Sequence, residues 1–263
     1  MKLCIVYKNY GNRRSLLLFI GQNEKLKKAV EEAAWEIDRG AKNDIEIIRG
    51  ISEYLQRNVK YDHKMSNIMY HHEAYGALVS RCAVCDGFAK AFKLIAEYLG
   101  FQCWVVSGKK KDLSALIIGH AWNIIEYSGK FYHIDATWDA NFYESIGTYS
   151  YAYFGISDDE MVKDHIWNFL SLPRCKGYEL SYYHANNLQA TSEGQIFDIL
   201  VRCLKQRSNI IRVRVNDGIS LGKNPQEYMV DKFKQACKQV GIYCSYTYSW
   251  QNEQRCFTVL LNK

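Results

Sequence analysis

The stretch Leu116-Ile-Ile-Gly-His120-Ala-Trp122-Asn-Ile-Ile-Glu-Tyr127-Ser-Gly-Lys130-Phe-Tyr-His133-Ile-Asp135-Ala-Thr137 reads as a β-hairpin. Ser128-Gly129 is a two-residue hairpin connection, making Leu116 to Tyr127 one strand and Phe131 to Thr137 its return. With the turn there, Tyr127 faces Lys130 and Trp122 faces Asp135. His120 lies two residues before Trp122 and shares its face, and Asp135 projects to the same side. Diagonal cross-strand neighbours lie roughly 7–8 Å apart at the backbone, within reach of a histidine–carboxylate hydrogen bond. The pairing therefore predicts an acid beside an imidazole. His133 shares the face of Asp135, two residues along the same strand, so spacing alone leaves two candidate histidines.

Working upstream, Gly108 to Asp112 predicts a charged turn and Phe101 to Val106 a strand. Cys85 to Gly100 has helical period: Phe88, Ala91, Phe92, Ile95 and Leu99 form one apolar stripe, with Gly100 as a left-handed cap. Residues 59–84 show no clean period, and His71-His72-Glu73 within them reads as solvated surface. Two further helices are predicted over Glu24 to Asp38 and Asp44 to Asn58, preceded by a hairpin around Asn9-Tyr-Gly-Asn12. Downstream come a strand over Tyr149 to Phe154 and a polar linker over Tyr183 to Glu193. The tail reads as helix (Gln195 to Gln206), strand (Ile210 to Val215), helix (Pro225 to Val240) and two strands (Ile242 to Tyr248, Cys256 to Leu261). Helices first and antiparallel strands afterwards is α+β order. The expected division is an N-terminal hairpin and helix over 1–43, a core over 44–182 and a small α/β accessory domain over 191–263.

The 263 residues suffice to bury a core without disulfide or metal staples. Net charge is 34 − 28 = +6, and from Thr191 onward 11 Lys/Arg face 6 Asp/Glu, so the excess sits in the tail. Those basic residues are scattered rather than interleaved with stacking aromatics, which argues for a solvated surface and against a nucleic-acid partner. No apolar run reaches the ~18–20 residues of a membrane helix, so no membrane partner is expected. Nine cysteines at irregular spacing do not form a secreted disulfide framework, and no signal-peptide pattern is visible. Cytoplasmic placement is the expectation.

Cys85 immediately precedes a predicted helix, where the dipole and free backbone N–H groups stabilise a thiolate. Its own N–H would lie where an oxyanion develops during attack on a carbonyl. A histidine held by a carboxylate and set against such a thiol is the arrangement of nucleophilic catalysis.

Ala-Val-Cys-Asp-Gly-Phe-Ala-Lys-Ala-Phe (83–92), His-Ala-Trp-Asn (120–123) and Tyr-His-Ile-Asp-Ala-Thr-Trp-Asp (132–139) resemble, in order and spacing, three blocks of the bacterial transglutaminase-like cysteine proteins. Supporting matches are Asn-Val-Lys-Tyr-Asp (58–62), Tyr-Gly-Ala-Leu-Val (75–79), Tyr-Phe-Gly-Ile-Ser-Asp-Asp-Glu-Met (153–161) and Asp164-His165. The resemblance covers about residues 44–170. It implies a papain-like core, in which a helix carrying the nucleophile packs on an antiparallel sheet carrying His and Asp. By position it implies Cys85 as nucleophile, His120 as general base and acid, and Asp135 as the group that orients His120. His133 then becomes a strand neighbour. Ala83 stands where the family commonly has Gly, which predicts a tighter turn before the nucleophile. The resemblance supplies no second oxyanion donor; Tyr61 and Tyr75 are the candidates.

The implied chemistry is acyl transfer on amide bonds of a peptide or protein substrate, with no cofactor and no metal. Hydrolysis is expected ahead of cross-linking, because water needs no amine site and no second-substrate motif is visible. A non-catalytic binding module is the rival from another class, and loss of catalysis would usually show in the triad. Cys82-x-x-Cys85 has no second pair to complete a zinc site, though a disulfide between the two would be an oxidative off-switch. Asp158-Asp159-Glu160 reads as helix-capping acids.

Overall fold

The computed structural model describes residues 24–64, 68–111 and 117–262; the hairpin expected around Asn9 lies outside them. The first two helices, α1 (Glu24–Gly40) and α2 (Asp44–Asn58), follow the apolar period. Asn43 opens α2, its side chain accepting the Glu46 N–H at 2.9 Å. Residues 59–84 are irregular as expected, built from β1 (Lys60–Tyr61), a 3-10 turn (Met69–His72), a π turn (Gly76–Ser80) and β2 (Cys82–Ala83). The expectation of a solvated histidine pair is corrected for His71. It is buried with its Nδ1 2.8 Å from Asp62 Oδ2, because the parallel pairing of β1 with β2 folds the segment inward. His72 stays exposed.

Helix α3 (Cys85–Tyr98) buries Phe88, Ala91, Phe92 and Ile95 against β3 (Cys103–Lys111) and β4 (Ile117–Tyr127), with α1 and α2 on its other side. Each large side chain of that stripe contributes about 1.5–3 kcal/mol of burial. Asn123 ties helix to sheet: its side-chain amide donates to the Ala89 carbonyl at 2.9 Å and to the Trp104 carbonyl at 3.3 Å. Gly87 is required here, since a Cβ would lie 2.5 Å from the His71 carbonyl oxygen and 2.7 Å from the Ala83 Cβ.

The central sheet is antiparallel, ordered β6-β5-β4-β3-β7, with β5 (Lys130–Ile134), β6 (Phe154–Ile156) and β7 (His165–Ile166). The hairpin has the predicted register, from Tyr127↔Lys130 to Asn123↔Ile134. Ser128 and Gly129 both take positive φ, 51° and 72°, as a primed turn requires. Three expectations need correction. The return strand ends at Ile134, not Thr137, because Asp135 leaves the sheet to cap α4 (Ala136–Ile146), accepting the Thr137 and Trp138 N–H groups. The charged turn at Gly108–Asp112 is strand as far as Lys111, because β7 gives Lys109 and Lys110 a second partner. The strand expected over Tyr149–Phe154 begins only at Phe154 and runs on to Ile156. Ser157 and Glu160 form a reciprocal capping box on α5 (Asp158–Met161).

A second sheet, ordered β10-β11-β9-β8, is built from β8 (Gln189–Ala190), β9 (Ile210–Val215), β10 (Tyr246–Gln251) and β11 (Cys256–Leu261). The short α6 (Tyr182–Ala185), α7 (Glu193–Lys205) and α8 (Pro225–Val240) complete the C-terminal part. The stretch read as a linker therefore contributes both α6 and a strand, β8, which pairs parallel with β9. Along β9 the apolar residues Ile211, Val213 and Val215 alternate with Arg212 and Arg214, all five buried. The arginines reach the first part of the chain: Arg212 donates to Thr148 Oγ1 at 3.0 Å, and Arg214 to the Ala152 carbonyl. Among the described residues no helix is long and apolar enough to cross a membrane.

Candidate active site

Cys85 is the first residue of α3, partly exposed, with Val84 as an N-cap that offers no side-chain acceptor. Backbone N–H groups of a first helical turn lack intrahelical partners. The thiol therefore sits at the positive end of the helix.

His120 and Asp135, brought to one side of the sheet by the hairpin register, meet with Nε2 2.5 Å from Oδ2. Both are buried. Burial alone would lower the His120 pKa, but the Asp135 carboxylate and a hydrogen bond with the Cys85 thiol raise it to about 10. Burial would raise Asp135, yet His120 and His165 hold it well below the ordinary carboxylate range. With Nε2 committed to Asp135, Nδ1 is the imidazole nitrogen left for Cys85. The structure thus brings the three predicted site residues together. Trp122 stacks on His120 at 5.8 Å between centroids and Trp138 lies at 5.7 Å. These rings exclude water from the ion pair, which strengthens it.

The other candidate histidine, His133, belongs to a separate cluster. Trp122 Nε1–H donates to its Nδ1 at 3.0 Å, so in the neutral ring the hydrogen sits on Nε2, 3.0 Å from Asp158 Oδ1. Burial lowers its pKa, with Asp158 opposing. Arg174 Nε donates to the other Asp158 oxygen at 2.6 Å. His133 therefore buttresses Trp122. The ligand atoms of His133, Asp158 and Cys175 lie within 4.8 Å of one another, as do those of His120, Asp135 and His165. In the first cluster, the Nε2–H and a Cys175 thiol whose pKa burial pushes up make donors of two groups a metal would need as acceptors.

Sequence reasoning assigned no role to His165. Its Nε2 is 3.2 Å from the same Asp135 oxygen that holds His120, and its Nδ1 is 2.5 Å from Asp164 Oδ1. The signal was the Asp164-His165 dipeptide, visible as a motif without a partner. Tyr61 pairs in register with Ala83, two residues before Cys85. Burial first, then the charges of Cys85, Asp135 and Asp62, push its hydroxyl up to about 12, so the O–H is retained.

Residues 31–136, which contain Cys85, His120 and Asp135, match the transglutaminase-like superfamily. Human kyphoscoliosis peptidase is 24% identical over 201 residues, covering 65% of this chain and 30% of its own length. The chain thus spans under a third of that relative. Two solved structures, one of a TGase and one of a proposed cysteine protease from Cytophaga hutchinsonii, are each 19% identical and each cover 43% of this chain. They are covered over 30% and 37% of their own chains, with TM-scores of 0.36 and 0.35. The segment of residues 31–136, ending just past Asp135, is thus similar to the transglutaminase-like superfamily.

Proposed function

We propose that the chain is a cysteine-dependent acyl-transfer enzyme that cleaves amide bonds of peptides or proteins through a thioester, with water as the final acceptor. The observation that carries this reading is the 2.5 Å His120–Asp135 pair beside the Cys85 thiol at a helix N-terminus. In this reading Cys85 sulfur attacks the amide carbonyl carbon and the carbonyl electrons move onto oxygen. His120, protonated at neutral pH, gives its Nδ1 proton to the departing amine as the C–N bond breaks. The neutral imidazole then takes a proton from water, whose oxygen attacks the thioester and releases Cys85. Asp135 keeps Nε2 protonated and Nδ1 aimed at the sulfur throughout.

Acceptor choice is tested by incubating a peptide substrate with enzyme, with and without a primary amine in excess, and weighing the products. Hydrolysis predicts the free acid as the main product in both. A predominant amine adduct would make the chain a cross-linking enzyme. The name of the human relative, a peptidase, supports the hydrolytic direction.

The oxyanion needs two donors. The Cys85 N–H is one, and the Tyr61 hydroxyl, protonated and in the field of Cys85 and Asp135, is the best-supported second. Tyr61→Phe keeps the ring that packs near Phe88 and removes only the donor. Its kcat is expected to fall by about 10²-fold with KM little changed, the loss typical of one oxyanion donor. A kcat within about two-fold of the parent would assign that donor elsewhere.

A further inference from the structure

We propose that Gln254, on the turn between β10 and β11, acts through Asp164 and His165 to position Asp135, so that the C-terminal sheet holds the His120 pair in working geometry. The proposal deepens the acyl-transfer reading and rests on it for its catalytic consequence. The path is continuous and buried. Gln254 Nε2 donates to Asp164 Oδ2 at 3.3 Å and to the Glu160 carbonyl at 3.2 Å. Asp164 Oδ1 meets His165 Nδ1 at 2.5 Å, and His165 Nε2 lies 3.2 Å from Asp135 Oδ2. Gln254, Asp164, His165 and Asp135 are each no more than 2% exposed.

Chemistry gives this path a purpose. Asp135 Oδ2 faces the Nε2 atoms of both His120 and His165, so as an acceptor it requires a hydrogen on each. A fixed His165 therefore fixes the direction of that oxygen, and with it the tautomer and tilt of His120. The groups facing His165 are Asp135, Asp164, His120 and the rings of Tyr153, Trp122 and Trp138. Those facing His120 are Cys85, Asp135, His165, Trp122 and Trp138. None of the side chains in either set comes from the C-terminal sheet. Gln254 reaches the site through Asp164.

A second route from the same sheet converges on Asp135. Arg214 on β9 binds Glu160 Oε1 at 2.7 Å and the Ala152 carbonyl. The next residue, Tyr153, donates its hydroxyl to Asp164 Oδ2 at 2.6 Å, and its carbonyl accepts the Asp135 N–H at 3.0 Å. Asp135 is thus held at its side chain through Gln254 and at its backbone through Arg214. A glutamine buried on a loop has no apolar reason to be there, and its amide links two segments that are 90 residues apart in the chain.

The test uses the full chain with Gln254→Met and His165→Gln, the imidazole nitrogens of His120 read by NMR across pH, and steady-state kinetics on a peptide the parent cleaves. Both variants are expected to lower the His120 titration midpoint. Gln254→Met is expected to reduce kcat by about 3–10-fold and His165→Gln by about 10–100-fold, with KM unchanged, as for a small misplacement of a catalytic group. If Gln254→Met fails to fold, Tyr153→Phe, which removes only the hydroxyl on Asp164, takes its place. Unchanged His120 nitrogens and kcat in folded variants of a Cys85-dependent enzyme would overturn the proposal. A parent without Cys85-dependent turnover, but with a shifted His120 in the variants, would instead overturn the acyl-transfer reading and leave the positioning intact.

Discussion

Cys85→Ala is expected to reduce peptide-amide turnover by about 10⁴–10⁶-fold, the loss seen when a covalent nucleophile is removed and only binding and oxyanion stabilisation remain. The fold should be untouched, because Cys85 is partly exposed and alanine suits a first helical turn. Cys82→Ala is the matched control. Its thiol lies three residues away in β2, where burial and the charges of Asp62 and Glu144 push its pKa up, disfavouring the reactive form. The control should keep the parent rate. Site-resolved alkylation near neutral pH adds a readout that needs no substrate. Cys85 should label first and slow in His120→Ala, while Cys103, Cys175, Cys203, Cys237 and Cys256, all raised by burial, label late. A Cys85→Ala protein that folds normally and retains a tenth of the parent turnover would end the acyl-transfer reading. The non-catalytic module would then lead.

The parts of this site that were legible in the sequence are those fixed by local geometry. A two-residue turn sets the hairpin register, and the register alone puts His120 and Trp122 on one face, opposite the end of the returning strand. The apolar stripe from Phe88 to Ile95 likewise fixes α3 and, with it, Cys85 at a helix start. Asp135 reached His120 by a different path from the one the alternation suggested. It is an N-cap at the sheet edge, and its short polar side chain competes for the Thr137 and Trp138 N–H groups, which ends the strand at Ile134, short of the expected Thr137. The contribution of His165 was not legible, because it depends on β7 pairing with the far edge of β3, a contact more than 50 residues apart in the chain. Gln254 was further from view still. Nothing in a polar loop residue's own surroundings says that the loop folds against Asp164, and only the assembled sheets bring the two together.

Asp135→Asn tests the other half of the site and is expected to lower kcat by about 10⁴-fold, because it preserves shape while inverting a hydrogen bond. The asparagine oxygen keeps the acceptor that caps α4. Its amide then faces His120 Nε2 and His165 Nε2 as a donor, where the carboxylate accepted from both. His120 must respond by leaving Nε2 bare and carrying its hydrogen on Nδ1, toward Cys85. A neutral ring in that tautomer cannot take a proton from the thiol or from water on the sulfur's side. Loss of the carboxylate also removes the charge that raised His120 to about 10, so its midpoint falls, and burial, no longer opposed by the carboxylate, carries it down. The consequence for stability has a definite sign. In the parent, His120 has a higher pKa folded than its ordinary 6.5, so its share of stability is full below roughly pH 6.5 and is lost as pH rises through about 10. Asp135 is lowered from 3.8, so its share is full above that value and is lost on acidification. Both shares coexist between roughly pH 4 and 6.5, and the variant has neither. The gap in melting temperature between parent and Asp135→Asn should therefore be widest in that window and close toward pH 10. A gap that grew with alkalinity, or a kcat within ten-fold of the parent, would mean that the carboxylate neither charges His120 nor sets its tautomer.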